Sequence, residues 1–95
     1  MLNNEVVLNT AANLSKKTIA ESEEEHKRIA FLYHQLFGRP ATPKEQSVAA
    51  LLLRESRETR QQLAAAGEEE ADVESGAWED LCVSLICSNE FMYVD

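Results

Sequence analysis

The sequence predicts an all-α protein, a small four-helix bundle of orthogonal or irregular packing with an aromatic C-terminal tail packed on the core. Three observations predict it. Apolar residues recur every three or four positions, the spacing that places them on one face of a helix. Helix-start residues precede these stripes, and glycines follow two of them. No segment alternates as a strand would, and no repeat of the length used by solenoids is present.

The first segment, EVVLNTAANLSKKTIA, follows Asn3 and Asn4, which can cap it. Val7, Leu8, Ala11, Ala12 and Leu14 share helical spacing, and Lys16 and Lys17 suit a C-terminal turn, where the helix dipole favours cations. Ser22 with Glu23, Glu24 and Glu25 reads as a capping box, in which the hydroxyl takes the third helical N–H and Glu25 reaches back. The stripe of the second helix is Ile29, Leu32, Tyr33, Leu36 and Phe37, and Gly38 offers the left-handed residue that closes it.

The third helix has the sharpest boundary. Thr42 is its N-cap, Pro43 occupies the first helical position, where a missing N–H costs nothing, and Glu45 completes a second box. Val48, Leu51, Leu52 and Leu63 are expected inward, with closure near Gly67, while the alternation of Arg and Glu from Arg54 to Glu58 reads as a solvated face. Residues 68–76, EEEADVESG, lack periodicity and read as an exposed acidic loop. Trp78, Leu81, Cys82, Leu85 and Ile86 then give the cleanest amphipathic pattern of the chain.

At 95 residues the chain is at most one domain, residues 1–95, with a small core. A hydrophobic share of 44% beside 27% charged residues is the balance of a folding globular chain. The net charge of −8 argues against nucleic acid and anionic membranes as partners, since both require clustered Lys and Arg. No apolar run has the length that spans a bilayer, so no membrane insertion is expected, and the N-terminus lacks the basic start and apolar middle of a signal peptide.

The candidate chemistry is sparse. His26 and His34 stand eight positions apart, too far to chelate one ion from one helix, and neither Cys82 nor Cys87 has a partner at C-x-x-C spacing. The two cysteines project about 140° from each other on one helix, so each is expected as a free thiol, with an intermolecular bridge through Cys87 as the alternative. Serines serve better as caps than as nucleophiles, no G-x-S-x-G elbow is present, and the carboxylates run in solvated clusters, whereas general acid catalysis wants an isolated, desolvated carboxyl. No catalysis, metal or cofactor is expected.

One constellation is structural. Gly38-Arg39-Pro40 makes a tight bend, and Ser88-Asn89-Glu90-Phe91 is expected to end the fourth helix with a turn. An Arg fork suits a partly buried carboxylate, so Arg39 is expected to pair with Glu90, with Phe91 packed under the bend against Tyr33 or Phe37.

The segments LFGRPATPKE, AWEDLCVSLICSNEFMYVD and MLNNEVVLNTAANLSKK, taken together, resemble the C-terminal end of the planctomycete cytochrome-associated domain of unknown function. That domain occurs in large multidomain proteins that often carry a cytochrome c-like domain near the N-terminus. The matching residues are Leu2 to Val7, Gly38-Arg39-Pro40, Thr42-Pro43-Lys44-Glu45 and Ser88 to Asp95, and the resemblance covers almost the whole chain. It implies a C-terminal module of a larger, haem-associated protein, exported or in the cell envelope, with the other domains of that parent as its partners. The function expected is packing and domain contact. A free-standing acidic adaptor that grips a partner helix is the alternative. Val6, Val7 and Leu8 at the start of the first helix are expected to leave an apolar patch through which the chain docks or self-associates.

Overall fold

A computed structural model describes the backbone of residues 4–67 and 72–92, with side chains as far as Ser88. Four helices follow in order: α1 (Asn4–Glu21), α2 (Glu25–Phe37), α3 (Pro43–Ala65) and α4 (Val73–Met92). They form an all-α four-helix bundle. α4 is the hub, packing on each of the others, whereas α1 and α3 do not touch. Trp78, Leu81 and Cys82 of α4 therefore meet Val7 and Ala11 of α1, Ile29, Leu32 and Tyr33 of α2, and Ala49 and Leu53 of α3 in a single core.

The helix ends account for two departures from the sequence reading. Ser22 does not form the expected capping box: its hydroxyl accepts from Glu24 N at 3.1 Å, and Glu24 occupies the N-cap without a side-chain cap. The Glu25 carboxylate that would have completed the box is drawn across to Arg57 Nη1 at 2.9 Å. The acidic loop is also shorter than expected. Asp72 Oδ1 accepts from Glu74 N at 3.0 Å and Ser75 N at 3.4 Å, so the aspartate supplies an N-terminal cap and α4 begins at Val73. Residues 68–71 lie outside the described residues.

At its other end α4 continues through Ser88 and Asn89 to Met92, where a turn was expected. Asn is only moderately unfavourable inside a helix, and no Gly or Pro stands nearby to stop it. The packing of Phe91, the pairing of Glu90 and the aromatic tail from Tyr93 concern side chains or segments outside the described residues.

The apolar faces also differ from the reading. In α1, Val7 and Ala11 are buried, but Leu8 is 58% exposed, and the buried stripe continues through Ser15 and Thr18. Their hydroxyls satisfy themselves locally: Ser15 Oγ donates to Ala12 O at 3.0 Å, and Thr18 Oγ1 to Leu14 O at 2.8 Å. In α3 the core receives Ala49 and Leu53, while Val48 and Leu51 remain 47% and 43% exposed and Leu52 is only partly buried. An apolar run such as VAALLL fits a helix in several rotations. The one adopted carries the stripe Ala49, Leu53, Arg57, Arg60 onto arginines that find carboxylates on neighbouring helices.

Candidate functional site

Two polar clusters bracket the core. The first is the bend between α2 and α3. Gly38 adopts φ 71°, the left-handed conformation open to glycine, and its N–H closes α2 on His34 O at 3.0 Å. The turn delivers Arg39 over the rings of Phe37 (5.5 Å to the centroid) and Tyr33 (5.9 Å), which pack together at 5.2 Å. The Arg39 fork closes on Glu45, with Nη1–Oε1 and Nη2–Oε2 both 2.8 Å, and Nη1 also donates to Pro40 O at 3.1 Å.

Glu45 also completes the capping box predicted at Thr42: Thr42 N donates to Glu45 Oε1 at 2.9 Å, Glu45 N donates to Thr42 Oγ1 at 3.1 Å, and Pro43 opens the helix. One carboxylate thus ties the bend to the start of α3. The Arg39 fork, and after it the Thr42 N–H, hold the Glu45 carboxyl down to about 2. The same pair raises Arg39. Of the residues singled out in the sequence, Gly38, Arg39, Pro40, Thr42 and Pro43 come together here. Trp78 belongs to the second cluster.

That second cluster ties together all four helices. Arg57 of α3 donates Nε and Nη2 to Glu74 of α4 at 2.9 and 2.7 Å, and Nη1 to Glu25 of α2 at 2.9 Å. Glu74 Oε1 also accepts the indole N–H of Trp78 at 2.9 Å, one turn along α4. Arg28 of α2 lies 5.6 Å above the Trp78 ring with Nη1 3.9 Å from Glu74. Its other nitrogens cap the C-terminal end of α1, Nη2 on Ile19 O at 3.0 Å and Nε on Ser22 O. The hydrogen bonds from Arg57 lower Glu74, outweighing the upward push of burial, and Glu74 in turn raises Arg57.

Further along α3 the pattern repeats. Arg60 grips Asp80 with both nitrogens (2.9 and 3.0 Å), and Ser56 Oγ donates to the same carboxylate. Burial pushes the Asp80 carboxyl up, yet the bonds from Arg60 and Ser56 outweigh it and leave it low. Gly76 makes this approach possible, since a Cβ there would stand 2.5 Å from the Arg60 guanidinium carbon.

Sequence reasoning missed Arg28, Arg57, Arg60, Glu25, Glu74 and Asp80. The face read as solvated turns Arg57 inward, as Arg60 beyond it is turned, and leaves Arg54, Glu55 and Glu58 exposed. A signal was available: the interval of four that joins Ala49 to Leu53 lands next on Arg57, and the same interval separates Glu74 from Trp78.

Chemically the two clusters tie helix to helix within the chain. Their cations and carboxylates neutralise one another, and among the described residues no buried side-chain nitrogen or oxygen lacks a partner. Burial, and after it the charge of Glu79, pushes the Cys82 thiol up to about 12, so it stays protonated; Cys87 is exposed. His26 and His34 are exposed, and among the described residues no group of three His, Cys, Asp or Glu side chains is placed to hold a metal. No helix among them is long and apolar enough to cross a membrane. An open groove of about 560 Å³ runs over Ala30, Phe31 and Pro40, flanked by Lys27 and His34. Comparison with protein-family models, with curated proteins and with solved structures found no match to this chain.

Proposed function

We propose that the chain is a helical interaction module, rigid in itself, that docks on neighbouring protein and carries no chemistry of its own. The observation that carries this reading is the contrast between charged clusters that pair within the chain and the apolar residues left exposed on α1. Val6 and Leu8 are 42% and 58% exposed, on either side of the buried Val7. At about 100° per residue they lie on opposite flanks of the core-facing line, where helices of a larger protein would extend the core on both sides.

The parent we propose is the haem-associated envelope protein implied by the resemblance to the planctomycete cytochrome-associated domain. What supports that setting is the order of the Gly38-Arg39-Pro40 bend, the Thr42-Pro43-Lys44-Glu45 start and the closing Ser88 to Asp95. Reading the genomic frame upstream of the Met1 codon tests it: an open frame that encodes C-x-x-C-H supports the parent, and a stop codon with a ribosome-binding site just before Met1 overturns it. Docking through α1 is tested with a dye that fluoresces on apolar surfaces. Fluorescence should rise with the wild-type chain and fall in Val6→Ser/Leu8→Ser, and no rise with the wild type would overturn the docking face.

The second reading, an adaptor that grips a partner helix, is favoured by the groove over Ala30, Phe31 and Pro40. A basic amphipathic peptide complementary to the charge of −8 would then shift the amide resonances of Ala30 and Phe31 and leave those of Val6 and Leu8 in place.

A further inference from the structure

The outer face of α3 lies directly opposite its buried stripe. Counting about 100° per residue from Leu51, the buried Ala49 and Leu53 fall about 160° away on either side. Lys44, Ser47, Val48, Arg54, Glu55 and Glu58 all fall within about 60° of Leu51, and every one of them is exposed. Lys44, Arg54, Glu55 and Glu58 make no ion pair with any described residue, in contrast to the inward Arg57 and Arg60.

The order of these residues is self-complementary. Lys44 and Glu58 each stand seven positions from Leu51, about 10 Å along the axis in opposite directions. Lys44 also sits in the first turn of α3, where the helix dipole disfavours a cation. Two copies of α3 laid antiparallel about a twofold axis at Leu51 bring Lys44 of each onto Glu58 of the other. Leu51 then meets Leu51, Val48 lies beside Glu55 of the other copy on one flank, and Ser47 lies beside Arg54 on the other. A parallel arrangement would instead oppose Lys44 to Lys44 and Glu58 to Glu58.

We propose that this face, Lys44, Val48, Leu51, Arg54 and Glu58, is an isologous antiparallel homodimer interface of the chain. It goes beyond the docking reading, because it uses a helix that does not touch α1 and does not involve Val6 or Leu8. With an apolar centre of only Leu51 and Val48 from each copy, the dimer is weak and reversible, of the kind that assembles at high local concentration.

The test is sedimentation equilibrium of the full 95-residue chain over a concentration series, in low and in moderate salt. The mass should rise towards the dimer, and more readily at low salt, since the pairs are exposed and screened. Leu51→Glu should weaken association by about tenfold or more, because it places two carboxylates on the axis. Lys44→Glu should weaken it comparably, and Lys44→Glu/Glu58→Lys should restore it, since the swapped charges again face each other across the twofold. All substituted side chains are exposed, so circular dichroism should show unchanged helicity. A monomer at every concentration, an undiminished dimer in Leu51→Glu, or no recovery in the charge swap would each overturn the proposal. If association vanishes only in Val6→Ser/Leu8→Ser, the contact belongs to α1 and the α3 interface is wrong.

Discussion

Replacing Glu74 by Ala tests the central cluster most directly. Three ligands are lost at once: the Arg57 fork, the indole N–H of Trp78 and the nearby Arg28 charge. They do not count equally. The Arg57 side chain is 26% exposed and keeps Glu25, and Glu74 itself is 44% exposed, so this ion pair is screened and contributes under about 1 kcal/mol. The larger effect comes from Trp78, which is 0% exposed. A buried donor stripped of its acceptor costs about 1–3 kcal/mol, and removing a carboxylate from the first turn of α4 adds about 0.3–1 kcal/mol. The sum is about 1–5 kcal/mol, or a fall in Tm of very roughly 5–40 °C for a domain of this size.

Urea unfolding of four proteins isolates the Trp78 contribution: wild type, Glu74→Ala, Trp78→Phe and the double variant. Phe has no N–H to strand, so its cost should be smaller in the Glu74→Ala background than in the wild type by about 1–2 kcal/mol. A coupling energy near zero, or a Glu74→Ala cost below about 0.5 kcal/mol, would mean that water reaches the indole and that the cluster does not seal the core.

Two further outcomes follow from the same geometry. Because the folded Glu45 carboxyl is held down to about 2 against an ordinary 4.5, its contribution is complete above the unfolded value and is lost as pH falls towards the folded one. The stability difference between wild type and Glu45→Gln, read as urea midpoints, should therefore be largest near pH 6, shrink below about pH 4.5 and vanish near pH 2; a difference constant across that window would contradict the Arg39–Glu45 tie. Gly76→Ala should be close to neutral in the wild type, because a helix-propensity gain of about 1 kcal/mol is offset as the new methyl displaces the Arg60 fork from Asp80. In an Arg60→Ala background the same substitution should stabilise by about 0.5–1 kcal/mol, and equal effects in both backgrounds would show that the fork does not lie over Gly76.

The legible parts of the sequence were those where the chemistry is local. The box at Thr42, Pro43 and Glu45 lies within four consecutive residues, so it could be read and is found. Gly38 likewise announces its left-handed turn, and the stripe from Trp78 to Ile86 is clear because Glu79, Asp80 and Ser84 stand between its members. Glu25 and Arg57 lie 32 positions apart, and Arg57 and Glu74 17 apart. No local rule distinguishes these charges from their exposed neighbours. For the same reason Ser22 with Glu25 satisfied the spacing of a capping box while the glutamate served a different helix. The inward face of α3 failed for a related cause: hydrophobicity alone left its rotation open, and the arginines selected it.

That selection bears on why a small bundle keeps charges beside its core. Apolar surface holds helices together but discriminates poorly between rotations, and α3 offers apolar residues on both its inner and outer sides. An ion pair at the edge of the core adds little net stability and penalises every arrangement that leaves one charge buried without its partner. Turning α3 so that Leu51 faced inward would carry Arg57 away from both Glu25 and Glu74, and would leave the Trp78–Glu74 pair with Arg28 alone. Arg28 constrains α1 in the same way, by closing its last carbonyls from α2 while lying on Trp78 of α4. Since α1 and α3 never touch, their relative placement passes through α4 and these two arginines. The clusters therefore act as a register device, which fixes the positions of the outer residues of α1 and α3.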